Sequence, residues 1–76
     1  MLKWYKLSAG DYSTKCGRFN IYRCENDNVV WWNLYCTNSN VTMSSHIADG
    51  WGIVDGFNTK REAQTTAQDF VNRGWV

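Results

Sequence analysis

The side chains best suited to metal binding or nucleophilic chemistry are three cysteines and one histidine. Cys16, Cys24, Cys36 and His46 are separated by seven, eleven and nine intervening residues, without any Cys-x-x-Cys pair. Compact zinc sites usually take two ligands from one tight turn, and thiol catalysis needs a base and a third orienting group. We therefore interpret the cysteines as free thiols and His46 as a loop imidazole, and we expect no metal or other cofactor.

The acidic and glycine-rich segment around Trp51 is a second candidate site for a small molecule. Asp49 and Asp55 flank this tryptophan, an arrangement compatible with sugar chemistry, but no second aromatic and acidic pair accompanies it. Gly50-Trp51-Gly52 lacks the third glycine and the strand-to-helix context of a phosphate loop. Enclosing a catalytic pocket is also difficult in 76 residues. The sequence predicts a protein that is not an enzyme and has no small-molecule substrate.

Two stretches of alternating side chains predict an aromatic surface. Residues 29–36 place tryptophans on both faces of one strand, and residues 18–24 place Phe19 and Ile21 opposite Tyr22. A single helix covers one side of a sheet, so the other side stays open unless residues 8–17 or 37–50 fold over it. Aromatic and amide side chains are typical of protein interfaces. The predicted binding residues on this face are Arg18, Asn20, Tyr22, Trp31, Asn33 and Tyr35.

The clearest local pattern predicts a helix over residues 60–73. Thr59-Lys60-Arg61-Glu62 has the form of a capping box, and Gly74 is suited to the left-handed residue that follows a helix. An apolar stripe lies between them, formed by Ala63, Ala67, Phe70 and Val71. Lys60 and Arg61 make the helix N-terminus locally positive and able to meet a phosphate or a carboxylate. We include both among the candidate binding residues.

The remaining elements complete an α+β fold. Residues 2–7, 18–24 and 29–36 are predicted strands, with 12–14 and 51–55 as short candidates. Turn-forming residues at 25–28 predict a hairpin, and residues 37–45 predict a polar loop. Without a linker or repeat, residues 1–76 predict one domain. We expect an antiparallel sheet of three to four strands packed against one C-terminal helix.

The segment Gly56-Phe57-Asn58-Thr59-Lys60-Arg61-Glu62-Ala63, after a series of strands, resembles two groups of proteins from mobile elements. One is the sheet-plus-helix domain at the start of phage and transposon integrases, shared with plant AP2 transcription factors. That resemblance implies a sheet inserted into the DNA major groove. The other is a group of small phage proteins, to which Gly17-Arg18-Phe19 and Trp31-Trp32-Asn33-Leu34 are similar. The resemblance implies a phage or mobile-element origin.

Composition narrows the class of partner. A formal charge of +1 gives no strong field for phosphate or membrane attraction, and 43% apolar residues exclude a disordered chain. No apolar run is long enough to span a bilayer, and the first residues lack a signal peptide, so we expect a cytoplasmic protein without membrane contact. The predicted partner is a host or defence protein, or a second copy of the chain. The alternative is a DNA-binding accessory protein of the integrase and AP2 type.

Overall fold

The computed structural model describes residues 1–38, 41–42 and 50–75. The elements, in chain order, are β1 Trp4–Ser8, β2 Asp11–Thr14, β3 Phe19–Asn26, β4 Val29–Cys36, β5 Gly52–Phe57 and α1 Lys60–Asn72. His46, Asp49 and most of the predicted polar loop at 37–45 lie outside the described residues. The α+β class with an antiparallel sheet and one C-terminal helix is confirmed.

Within the described residues the sheet contains five strands in the order β1-β2-β3-β4-β5, each antiparallel to its neighbours. The expected count of three to four strands was wrong because both short candidates belong to the sheet. β2 has the polar sequence Asp-Tyr-Ser-Thr and is held by ladders to β1 and β3, its neighbours along the chain. β5 contains Gly52 and Gly56 and pairs with β4 despite a register shift. Strand neighbours, rather than local propensity, decide these two elements.

The hairpin between β3 and β4 follows the prediction closely. Asp27 and Asn28 connect the strands with φ of 50° and 66°, the left-handed backbone of a tight two-residue hairpin turn. Short polar side chains tolerate this conformation better than most residues. The turn fixes the pairing of Asn26 with Val29, and the ladder then continues to Phe19 opposite Cys36. This register determines which residues share each face of the sheet.

The core lies between α1 and one side of the sheet. Its buried apolar residues are Phe19, Ile21, Leu34, Cys36, Val54, Ala63 and Ala67. The two alanines are fully buried, and small side chains at these positions allow the helix to lie close to the strands. Phe70 and Val71 pack beside them, as the predicted stripe requires. The face assignment from alternation is therefore confirmed for β3 and β4.

Both ends of α1 have the predicted caps. The Glu62 amide donates to the Thr59 hydroxyl at 3.1 Å, as in a capping box. The Glu62 carboxylate accepts from the same hydroxyl at 3.2 Å, whereas in a capping box it would accept from the Thr59 amide. At the other end Gly74 has φ of 75°, and the Trp75 amide donates to the Phe70 carbonyl at 2.9 Å. The Trp75 and Phe70 rings stack at 5.5 Å, which completes the hydrophobic contact of a Schellman motif. α1 spans 13 residues, and none of the helices in the described ranges is long and apolar enough to cross a bilayer.

Replacing Thr59 with alanine tests the N-terminal cap. The variant should lose about 0.5 to 2 kcal/mol of unfolding free energy, because the Glu62 amide loses its acceptor. Urea unfolding followed by circular dichroism measures this loss. Thr59→Ser, which keeps the hydroxyl, is the matched control and should lose much less. Equal losses in the two variants would show that the methyl group, and not the hydrogen bond, stabilises the helix start.

Candidate functional site

The side of the sheet facing away from α1, here called the open face, is built by the register of all five strands. One cross-strand row consists of Tyr5, Ser13, Asn20, Tyr35 and Ile53. A second row consists of Asp11, Tyr22, Asn33 and Gly56. A third pairs Cys24 with Trp31. The register thus brings five of the predicted binding residues onto one surface: Asn20, Tyr22, Trp31, Asn33 and Tyr35.

Amide side chains on the open face are held by hydrogen bonds. Asn33 donates through Nδ2 to the Tyr35 hydroxyl at 3.1 Å and lies 3.4 Å from the Cys24 sulfur. Asn20 donates through Nδ2 to the Asp11 carboxylate at 2.9 Å. These contacts orient both amides before any partner arrives, so less side-chain entropy is lost on binding.

Trp31 is half-buried because its indole lies against the backbone of β5. A Cβ atom at Gly56 would lie 3.2 Å from Trp31 Cδ1 and 3.2 Å from Asn33 Oδ1. Only a residue without a side chain leaves this space free, so the glycine explains how a large indole lies flat on the sheet. Local sequence signals do not predict this role of Gly56, because the contact depends on pairing between β4 and β5.

The open face is wider than the sequence indicated. Tyr5 and Tyr22 are 43% and 49% exposed, and Leu7 adds an exposed apolar side chain from β1. A shallow concavity of about 250 Å³ is lined by Leu7, Ser13, Asn20, Tyr35 and Trp51. Trp51, at the start of the predicted short strand 51–55, is half-buried beside Tyr35 in this concavity. The alternation in β1 and β2 was the available signal for Tyr5 and Leu7.

The three basic candidates lie elsewhere. Arg18 is exposed in the turn before β3, where its carbonyl accepts from the Thr37 amide at 3.1 Å. Lys60 lies on the helix side of the sheet, with its Nζ 4.1 Å from the centroid of the Tyr12 ring. Arg61 is exposed on the first turn of α1. The aromatic surface and the basic pair of the helix are therefore on opposite sides of the sheet.

The cysteines occupy three different environments. Cys24 is on the open face, Cys36 is buried in the core, and Cys16 is exposed in the turn after β2. Among residues 1–38, 41–42 and 50–75, no cluster of three His, Cys, Asp or Glu side chains is arranged to hold a metal ion. The described cysteines thus do not share a common ligand set.

Local interactions shift the pKa values of two of the thiols in opposite directions. Partial burial acts to raise the pKa of Cys16, but hydrogen bonds with Thr14 and the Arg18 amide, together with the Arg18 charge, outweigh it and lower that pKa. Desolvation by burial raises the pKa of Cys36, more than the nearby amides of Asn38 and Thr37 lower it. The exposed thiol is therefore the more readily ionised of the two.

Comparison of the chain with protein-family models, curated proteins and solved structures gave no match. The resemblance to integrase and AP2 domains accordingly stays a prediction from sequence. Its expected three-stranded sheet differs from the five-stranded sheet found here. Function must be argued from the surface itself.

The two thiol environments predict selective alkylation. At neutral pH, iodoacetamide should modify Cys16 well before Cys36, because the lower pKa of Cys16 leaves more thiolate and its sulfur is accessible. The rate at Cys16 should also level off at a lower pH than the rate at Cys36. Peptide mass spectrometry over a pH series measures both rates. Unfolding in urea is the control and should remove the difference, whereas equal rates in the folded protein would contradict the assigned burial.

Proposed function

We propose that this chain is a small non-catalytic binding protein that recognises another protein through its open face and modulates that partner. A host or defence protein, met by a phage-encoded chain, is the partner class that the sequence resemblance suggests. The observation that carries the proposal is the register that places Tyr22, Trp31 and Tyr35 together on the side of the sheet away from α1.

Exposure and chemistry support a protein-binding role for these aromatics. Tyr22 has about half its surface in solvent, and Trp31 and Tyr35 are half-buried. Tyrosine and tryptophan bury large areas at little entropic cost and keep a polar group for hydrogen bonding. The oriented amides of Asn20 and Asn33 supply polar contacts between the rings.

The charge distribution favours protein over nucleic acid as the partner. Within the described strands, Asp11 is the charged residue that falls on the open face, and its carboxylate accepts from Asn20, while Lys3 and Lys15 lie only at the border of this face, outside the strands. Nucleic-acid surfaces usually combine stacking rings with Lys or Arg along the backbone track. Here Lys60 and Arg61 are on the opposite side, so the DNA-binding alternative would need a different surface.

Alanine variants of the open face test the main proposal. The protein, immobilised as bait, captures partners from a host lysate, and the captured partner is then purified for calorimetry. Tyr22→Ala and Trp31→Ala should each weaken binding by about 2 kcal/mol, or roughly thirtyfold. Trp75→Ala is the matched control, since Trp75 is 50% exposed on the helix end and not on the open face. A partner that binds all three variants equally well would exclude the open face.

Salt dependence separates the two partner classes. Binding to a protein through the open face should change modestly with added salt, because the surface carries few charges. For DNA, affinity should fall steeply, and Arg18→Ala, Lys60→Ala or Arg61→Ala should each reduce the slope by about one per phosphate contact removed. Fluorescence anisotropy with labelled duplex and single-stranded DNA measures this slope. The DNA-binding alternative would replace the proposal if affinity for DNA fell steeply with salt, and if this salt dependence were lost in the basic variants but retained in Tyr22→Ala.

A further inference from the structure

The outer edge of β1 presents backbone groups that the sheet does not use. In the described part of the chain, β1 pairs only with β2. The Lys15 amide donates to the Lys3 carbonyl at 2.9 Å, and Tyr5 lies opposite Ser13 further along the ladder. Alternate residues of an antiparallel strand direct their N–H and C=O groups to the same neighbour. The backbone groups of Trp4 and Lys6 therefore point outward, to the free edge.

A groove of about 370 Å³ runs between this edge and α1, and we call it the edge groove. Its main lining residues are Leu2, Trp4, Gln64, Gln68, Asp69 and Asn72. Gln68 accepts through Oε1 from the Leu2 amide at 2.7 Å and donates to Asn72 at 2.9 Å. The side-chain amide of Gln68 on α1 thus already accepts a hydrogen bond from an outward-pointing backbone N–H, that of Leu2, just before β1 begins. The groove wall is chemically suited to a polypeptide backbone.

Three lysines flank the β1 edge, and one of them, Lys6, has its side chain on the same side of the sheet as the edge groove. Lys3, Lys6 and Lys15 are exposed near the β1 edge, and no ion pair among the described residues includes them. The acid of the groove, Asp69, is paired with Arg73 at 2.8 Å. A ligand with carboxylates would therefore be attracted by the unpaired lysine ammonium groups, and Asp69 would repel it little because Arg73 neutralises that charge.

We propose that the edge groove binds an extended, acidic segment of another protein, which adds to the sheet as a strand beside β1. Such strand addition combines backbone hydrogen bonds to a free edge with side-chain contacts at alternate positions. The occupant would hydrogen-bond to the outward groups of Trp4 and Lys6 and lie against the amide side chains of α1. This surface is separate from the open face and does not depend on the function proposed there.

The groove also predicts the pattern of the bound segment. Trp4 pairs with buried Thr14 and Lys6 pairs with Tyr12, so both side chains are on the helix side of the sheet. Residues of the bound strand that share this side must then contact both of them. An apolar residue next to Trp4 and an Asp or Glu next to Lys6, separated by one residue, meets this requirement.

Synthetic peptides test the proposal directly. The probe is Thr-Val-Thr-Glu-Thr-Val-Thr with blocked ends, and its control replaces Glu with Lys. In an amide NMR titration, the Glu peptide should shift resonances of β1 and of the groove side of α1, and should bind at least about tenfold more tightly than the Lys peptide. Equal binding of the two peptides, or shifts confined to the open face, would overturn the proposal.

Charge reversal and backbone methylation sharpen the test. Lys6→Glu should reverse the preference between the two peptides, whereas Arg23→Glu, the same reversal of charge at an exposed position of β3 outside the groove, should leave it intact. Two further peptides carry N-methyl groups at alternate residues, one at the odd positions and the other at the even positions. Binding should be abolished in the peptide whose methylated N–H groups would face β1, and retained in the other. Loss of binding in both peptides or in neither would exclude strand addition.

Self-association is the competing occupant of the same edge. Light scattering at the titration concentrations, with hydrogen exchange of the Trp4 and Lys6 amides, distinguishes it. We expect a monomer in which these two amides exchange rapidly and become protected when the Glu peptide binds. A dimer in which they are already protected would assign the edge to a second copy of the chain and would overturn the proposal.

Discussion

The packing of one narrow helix on a broader sheet determines the rest of this structure. An α-helix with its side chains is about 10 Å wide, whereas neighbouring strands are about 4.8 Å apart. α1 accordingly contacts β3, β4 and β5, and it approaches them closely through the fully buried Ala63 and Ala67. Among the residues that the structure describes, two surfaces are left uncovered as a result: the open face on one side, and the edge groove where β1 extends beyond the helix on the other.

Buried polar groups hold the far end of the sheet, where α1 contributes least. Thr14 is 1% exposed, and its hydroxyl accepts from the Phe19 amide at 3.2 Å. Its carbonyl also accepts from the Gly17 amide at 2.9 Å, which closes the turn between β2 and β3. A buried threonine is stable only when its hydroxyl is hydrogen-bonded. This side chain thus joins the polar strand β2 to the core strand β3 where apolar packing is thin.

Elements with local signals could be predicted from the sequence, whereas the sheet membership of the two short strands could not. The cap at Thr59, the left-handed Gly74 and the Asp27-Asn28 turn each depend on a few neighbouring residues, so α1 and the central hairpin were predicted close to their observed bounds. The membership of β2 and β5 depends on ladders to other strands, which explains the wrong strand count.

The same distinction applies to the candidate sites. Alternation alone placed Tyr22, Trp31 and Tyr35 on one face, because a strand has a fixed side-chain period. It gave no information on where the helix would carry Lys60 and Arg61, since that depends on how α1 crosses the sheet. The edge groove likewise could not be predicted from the sequence, because Leu2 and Gln68 contact each other only in the folded chain.

β1 physically connects the two proposed binding surfaces. Its odd-numbered residues Tyr5 and Leu7 contribute to the open face, while Trp4 and Lys6 direct side chains to the helix side and backbone groups to the free edge. A strand added in the edge groove would place alternate side chains next to Tyr5 and Leu7 and so enlarge the open face. Ligands bound at both surfaces would therefore touch along β1, and any coupling free energy between them would be equal in both directions.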